Sequence, residues 1–118
     1  AIDWLRARSR RFDTGLLYLS DHGESLGEYG LYLHGAPWRI APQAQKHVPM
    51  VAWLNGGLAQ RVGLDTGCLR NGLDVPLSHD NLFHTVLGLL DVHNPSYRLP
   101  LDAFATCRQA AAGNASLR

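Results

Sequence analysis

Gly15-Leu16-Leu17-Tyr18-Leu19, running into Ser20-Asp21-His22-Gly23-Glu24-Ser25, decides how this chain is read. The first five residues are almost wholly apolar, the pattern expected of a strand buried on both faces of a parallel sheet. Open α/β sheets bind ligands just beyond the carboxyl ends of such strands, and an aspartate, a histidine and a glycine stand there. Asp21 and His22 are neighbours in a turn, where strict strand alternation has ended, so both side chains can face one point. A carboxylate oxygen and an imidazole nitrogen suit Zn2+, although a catalytic zinc usually takes three protein ligands and keeps one position open. The plain alternative is a turn aspartate that satisfies local N–H groups beside a surface histidine. Glu24 reads as an acceptor that orients His22 or as a solvated carboxylate. Ser25 reads as a cap for the next segment.

Upstream, residues 2–11 read as a short helix with Ile2 and Leu5 on one face. Downstream, residues 21–46 are rich in Gly, Pro and polar side chains and carry no sustained period, which predicts a long loop of the functional kind. Tyr29, Tyr32 and Trp38 within it predict that the loop is ordered. His34, in Tyr32-Leu33-His34-Gly35, lies twelve positions after His22. A loop returning over a metal could present an imidazolium there to a phosphoryl oxygen; a histidine packed under aromatic neighbours is the other reading. Residues 47–54 predict a second strand with Pro49 near its start, and residues 58–77 an irregular connection. Ser78 resembles an N-cap with Asp80 in the first turn, ahead of a helix whose apolar face is Leu82, Phe83, Val86, Leu87, Leu89 and Leu90. Asn94-Pro95 breaks it. His47, His79, His84 and His93 read as packing, surface or helix-end residues.

A chain of 118 residues with 46% apolar and 18% charged side chains is expected to form at most one domain with a core. A formal charge of +1 provides no global field for nucleic acid. Arg6, Arg8, Arg10 and Arg11 suit the last turn of a helix, or alternatively an anionic lipid surface. No run of roughly 18 apolar residues is present, so no spanning helix is expected. The chain opens on Ala1 inside a charged helical pattern, which does not read as a signal peptide. Cys68 and Cys107 could pair in an oxidising compartment, at on the order of 3–4 kcal/mol, or remain two buried thiols.

Only two convincing strands are legible, and central strands need neighbours on both sides. The expectation is therefore an α/β chain with an incomplete sheet, the C-terminal piece of a larger domain at residues 1–108 with a flexible tail at 109–118. None of Thr14, Thr66, Thr85 and Thr106 has an adjacent base or metal pattern, so a nucleophile is not expected within the chain.

Taken together, the segments 18–28 and 32–35 strongly resemble the lipid A phosphoethanolamine transferases, the colistin-resistance type included, of the alkaline phosphatase/sulfatase-like superfamily. Residues 47–53 and 78–88 agree with the same family, and the resemblance runs from about residue 2 to about 108. It implies the C-terminal portion of an α/β/α sulfatase-like domain. It implies Asp21 and His22 as two ligands of a catalytic zinc, His34 as the histidine that contacts the substrate phosphate, and Glu24 as a supporting catalytic residue. In the family a zinc-activated threonine takes phosphoethanolamine from phosphatidylethanolamine and passes it to a lipid A phosphate. That threonine, the remaining zinc ligands and the N-terminal transmembrane helices precede the matched region. The resemblance thus implies an inner-membrane protein whose catalytic domain faces the periplasm, and an isolated chain that is inactive and binds zinc poorly. An oxidising periplasm would also permit a bond between Cys68 and Cys107. The alternatives are a sulfatase or phosphatase-like hydrolase fragment, a non-catalytic binding or assembly domain on the same scaffold, and a partial gene product without function of its own.

Overall fold

The structure is a computed structural model that describes residues 1–109; beyond Gln109 the expected tail lies outside the described residues. In chain order the elements are α1 (Ile2–Arg8), β1 (Gly15–Leu19), β2 (Ser25–Leu26), β3 (Tyr32–Leu33), α2 (Gln43–Lys46), β4 (Met50–Leu54), α3 (Gly56–Arg61), α4 (Thr66–Asn71) and α5 (Asp80–Leu89). The class is α/β as expected. The strands form two small open sheets, β1 with β4 and β2 with β3, which agrees with a partial sulfatase-like domain. Full burial of β1 is not found: Tyr18 is 50% exposed and no residue of the strand is fully buried, because β4 is its only sheet partner among the described residues.

Two compact units divide the chain, residues 15–53 with Ile2, and residues 3–14 and from 54 onward with Ala1. In the first, the stretch expected to be a loop contains the hairpin β2–β3 and the four-residue helix α2. The hairpin is antiparallel, with Ser25 opposite Leu33 and Leu26 opposite Tyr32. Its turn uses left-handed backbone at Gly27, Tyr29 and Gly30 (φ 125°, 57° and 74°), a region that costs little for glycine and more for Tyr29. Tyr29, Tyr32 and Trp38 are exposed, so burial of aromatics is not what orders the loop. Local hydrogen bonds do so: Leu26 N–H donates to Glu28 Oε2 at 2.8 Å and Leu31 N–H to the Glu28 carbonyl at 3.0 Å. β4 starts at Met50 rather than His47, since Pro49 has no N–H to donate and the His47 N–H closes α2 onto the Gln43 carbonyl at 2.8 Å.

In the second unit the predicted irregular connection contains α3 and α4, and side-chain caps explain both. Asn55 Oδ1 accepts from Leu58 N–H at 2.8 Å, and Asp65 Oδ1 from the N–H groups of Gly67 and Cys68 at 2.7 and 3.1 Å, satisfying donors that a helix start leaves open. α5 begins at Asp80 with His79 at the cap position, one residue after the expected Ser78; Ser78 still serves the helix start, its hydroxyl accepting from Asp80 N–H at 3.3 Å and its N–H donating to Asn81 Oδ1 at 2.8 Å. The expected apolar face of α5 holds in part: Leu82, Val86, Leu87 and Leu89 are half-buried, whereas Phe83 and Leu90 are exposed. The fully buried positions are His84 and Thr85, and with Asn81 and Gly88 they make a polar stripe at helical spacing.

That stripe ties down the C-terminal segment, taking up main-chain groups that the segment's own short 3-10 turns, Leu99–Leu101 and Ala105–Cys107, leave open. Asn81 Nδ2 donates to the Leu101 carbonyl at 2.9 Å, Arg98 N–H donates to His84 Nδ1 at 3.0 Å, and Ala103 N–H donates to Thr85 Oγ1 at 2.9 Å. Under it lies Asp102, whose side chain is fully buried and accepts from Phe104 N–H, Tyr97 Oη–H and Arg108 Nη1 at 2.9, 2.8 and 2.9 Å. Gly88 is required here, because a Cβ at that position would overlap Asp102 Oδ2 and lie 2.7 Å from Arg108 Nη1. The segment then pairs back on Gly63–Asp65, with Gln109 N–H on the Gly63 carbonyl at 2.7 Å. Cys68 and Cys107 form a disulfide, which resolves the alternative left open by their spacing.

Candidate metal centre

The hairpin register explains how two residues far apart in sequence meet. Because Ser25 faces Leu33, their neighbours Glu24 and His34 emerge beside each other, and His34 Nδ1 lies 3.1 Å from Glu24 Oε2. A carboxylate only accepts, so the proton of that bond sits on Nδ1 and Nε2 is left outward. The same logic fixes His22, whose Nδ1 donates to the Gly23 carbonyl at 3.0 Å. The two imidazoles lie together, their ring centroids 4.0 Å apart. Leu33, immediately before His34, has φ 66°, left-handed backbone that a leucine adopts only at a cost of about 1–2 kcal/mol and that aims the next residue.

His22, Glu24 and His34 each offer a ligand atom, all within 4.8 Å of one another. Two imidazole nitrogens and a carboxylate oxygen are a donor set that a divalent transition ion accepts. Asp21 stands beside this cluster. Its Oδ1 accepts from the His22 N–H at 3.0 Å, and its Oδ2 lies 3.8 Å from His22 Nε2. Donors on one tetrahedral ion are separated by roughly 3.3 Å, so the Asp21–His22 spacing is close to a metal bite. The Gly23 carbonyl is the main cause that holds the His22 ring above its ordinary 6.5; loss of hydration opposes it, and the Asp21 and Glu24 carboxylates add to the rise.

Glu24 does not orient His22, the role its sequence position suggested, because the strand register hands it to His34. His34 is not packed under aromatics; it is half-exposed against His22. Ser25, read as a cap, is instead 1% exposed and accepts from Gln45 Nε2 at 2.8 Å. Gln45 carries no local motif, and only the three-dimensional pairing brings it forward. His84 is buried and serves the C-terminal segment. Among the described residues no helix is long and apolar enough to cross a membrane.

Comparison with known proteins shows the family of the chain. Residues 1–92 match the Sulfatase family. Phosphoethanolamine transferase EptA of Salmonella typhimurium is 48% identical over 110 residues, covering 92% of this chain and 20% of its own length. Phosphatidylethanolamine transferase Mcr-1 of Escherichia coli is 42% identical over 92 residues, 78% of this chain and 16% of that protein. The soluble domain of lipooligosaccharide phosphoethanolamine transferase A from Neisseria meningitidis superposes with a TM-score of 0.83 at 42% identity, over 92% of this chain and 34% of that domain. The chain thus spans about a fifth or less of the length of these curated relatives. With most of its residues matched to the family model, and its fold shared with the soluble domain of a lipooligosaccharide phosphoethanolamine transferase, the chain belongs to the Sulfatase family.

Proposed function

We propose that this chain contributes the strand-end half of a zinc site in a transferase that moves phosphoethanolamine from phosphatidylethanolamine to a lipid A phosphate. The convergence of His22, Glu24 and His34 at the end of β1, on a chain 48% identical to a phosphoethanolamine transferase, carries this reading. Asp21 and His22 would hold the ion, with Glu24 and His34 close enough to complete or adjust the set. Zinc, when bound, lowers the pKa of a coordinated hydroxyl and offsets charge on phosphoryl oxygens.

The protein's own contributions derive from the hydrogen bonds. Gly23 holds the His22 proton on Nδ1 and keeps Nε2 as the ligating nitrogen. Glu24 fixes the tautomer and tilt of His34, whose outward Nε2 meets the phosphate of the bound group. The attacking hydroxyl is not Ser25, which is buried against Gln45, so the site is completed by residues outside this chain. The whole protein sits at the bacterial inner membrane with this domain in the periplasm, a compartment in which the Cys68–Cys107 bond persists.

The test is a chimera in which this chain replaces the matching segment of the Salmonella transferase, expressed in cells without such an enzyme. Mass spectrometry of lipid A is expected to show added phosphoethanolamine, abolished by His22→Ala and strongly reduced by His34→Ala. Hydrolysis of a sulfate or phosphate ester by the same chimera, with no transfer to lipid A, would refute the reading and favour a hydrolase.

A further inference from the structure

We propose that Gln45 is a positioning residue, a two-point clamp that holds the turn carrying His22 and Glu24 in register with His34. The proposal rests on the metal-site reading above and concerns a residue that touches neither ion nor substrate. Gln45 sits in α2, a helix of one turn. Its main-chain carbonyl accepts from Gly23 N–H at 3.1 Å, and its side-chain Nε2 donates to Ser25 Oγ at 2.8 Å. The two anchors fall on either side of Glu24.

The approach is close. A Cβ on Gly23 would overlap the Ala44 carbonyl oxygen and lie 3.1 Å from Gln45 Cα, so the turn rests directly on the α2 backbone. Ser25 is 1% exposed, which makes its bond to Gln45 the buried member of the set. The bonds at the site itself are of another kind. The Glu24 and His34 side chains are 40% and 53% exposed, and exposed charge pairs contribute little to holding a geometry. Orientation of the site then leans on the better-buried anchors of its turn, and Gln45 supplies two of them, one to buried Ser25 and one to half-buried Gly23. A displacement of about 1 Å at such a site is enough to lower turnover on the order of a hundredfold.

The chain as it stands allows a direct measurement. In the metal-free protein, NMR is expected to show a contact between the ring protons of His22 and His34, whose centroids are 4.0 Å apart. Gln45→Ala, which keeps the main-chain carbonyl, should abolish that contact while the amides of β1 and α5 retain their shifts. Ser25→Ala should do the same, and the double variant should add nothing further. Lys46→Ala, on the same helix but outside the clamp, should keep the parent's contact. If Gln45→Ala does not fold, Ser25→Ala carries the test alone. A His22–His34 contact that survives in these variants, or is absent from the parent, overturns the proposal.

Titration with Co2+ separates this outcome from the reading beneath it. Broadening of the His22 and His34 signals in the parent supports the metal site, and Gln45→Ala should then bind about tenfold or more weakly. A parent whose histidines ignore Co2+ even at about millimolar concentration, where an incomplete donor set still binds weakly, refutes the metal site and leaves the clamp to be judged by the ring contact.

Discussion

Replacing Asp102 by Asn exchanges one carboxylate oxygen for an amide nitrogen in a side chain that is fully buried. Oδ1 can remain as the acceptor for Phe104 N–H, and the Tyr97 hydroxyl can turn round to accept from the new amide. Arg108 has no such recourse. Its Nη1 would face an N–H group, and its Nε and Nη2 are already buried without a hydrogen-bond partner. Removing one partner of a buried pair costs about 3–5 kcal/mol. The Arg108 side chain retains 21% exposure, which puts the expected loss near the lower end, about 3 kcal/mol. With a urea slope of about 1.5 kcal/mol/M, the unfolding midpoint should fall by about 2 M. Urea unfolding of the oxidised chain, followed by circular dichroism, measures this. Adding Arg108→Met should restore at least about half of the loss, because the unpaired cation goes with it. A midpoint shift below about 0.5 M for Asp102→Asn, or no recovery in the double variant, would refute the view that an uncompensated charge sets the cost.

Four further outcomes are expected of the same structure. Replacing Cys68 and Cys107 together by Ala should lower stability by about 4 kcal/mol, from the loop entropy of a 39-residue separation; urea unfolding that matches the oxidised parent would contradict it. Gly88→Ala should destabilise by roughly 1–3 kcal/mol, despite alanine's better helix propensity, and a gain in thermal midpoint would refute the packing of Arg108 over that glycine. Gly23→Ala should displace the metal turn while leaving α5 intact, read as amide shift changes confined to residues 15–53. In metal-free protein, His22 should titrate above 6.5, chiefly through the Gly23 carbonyl. A group raised on folding stabilises below its unfolded pKa, and the contribution fades as pH rises through the folded value; a titration at or below 6.5 would remove the cause.

Much of the site was legible in the residues themselves. Apolar Gly15–Leu19 ending on Asp21-His22-Gly23 marks a strand end with ligating groups, and periodicity finds β1, α1 and α5. What could not be read depends on pairings distant in sequence. Nothing local says that Glu24 meets His34 rather than His22, since that is fixed by a register set across a turn. The helices α3 and α4 escaped because both are short and apolar periodicity needs more turns to show; their signals are the caps Asn55 and Asp65. The polar stripe of α5 was missed for a related reason. Hydrophobic pattern predicts which side chains prefer burial, whereas Asn81, His84 and Thr85 are turned inward by the demands of another segment's main chain.

The hairpin also sets a rule for natural variation in this region. Ser25 opposes Leu33 across a turn whose residues Glu28, Tyr29 and Leu31 are exposed. The identity of Leu31 can drift with little consequence, while that of Glu28 is tied to the Leu26 N–H. The number of turn residues cannot change, because adding or deleting one slips the ladder by one and sends alternate side chains to the opposite face. Glu24 and His34 would then part company while every letter of the motif stayed in place. A homologue with an altered turn length here is thus expected to have lost or rebuilt its site, however well its motif is preserved.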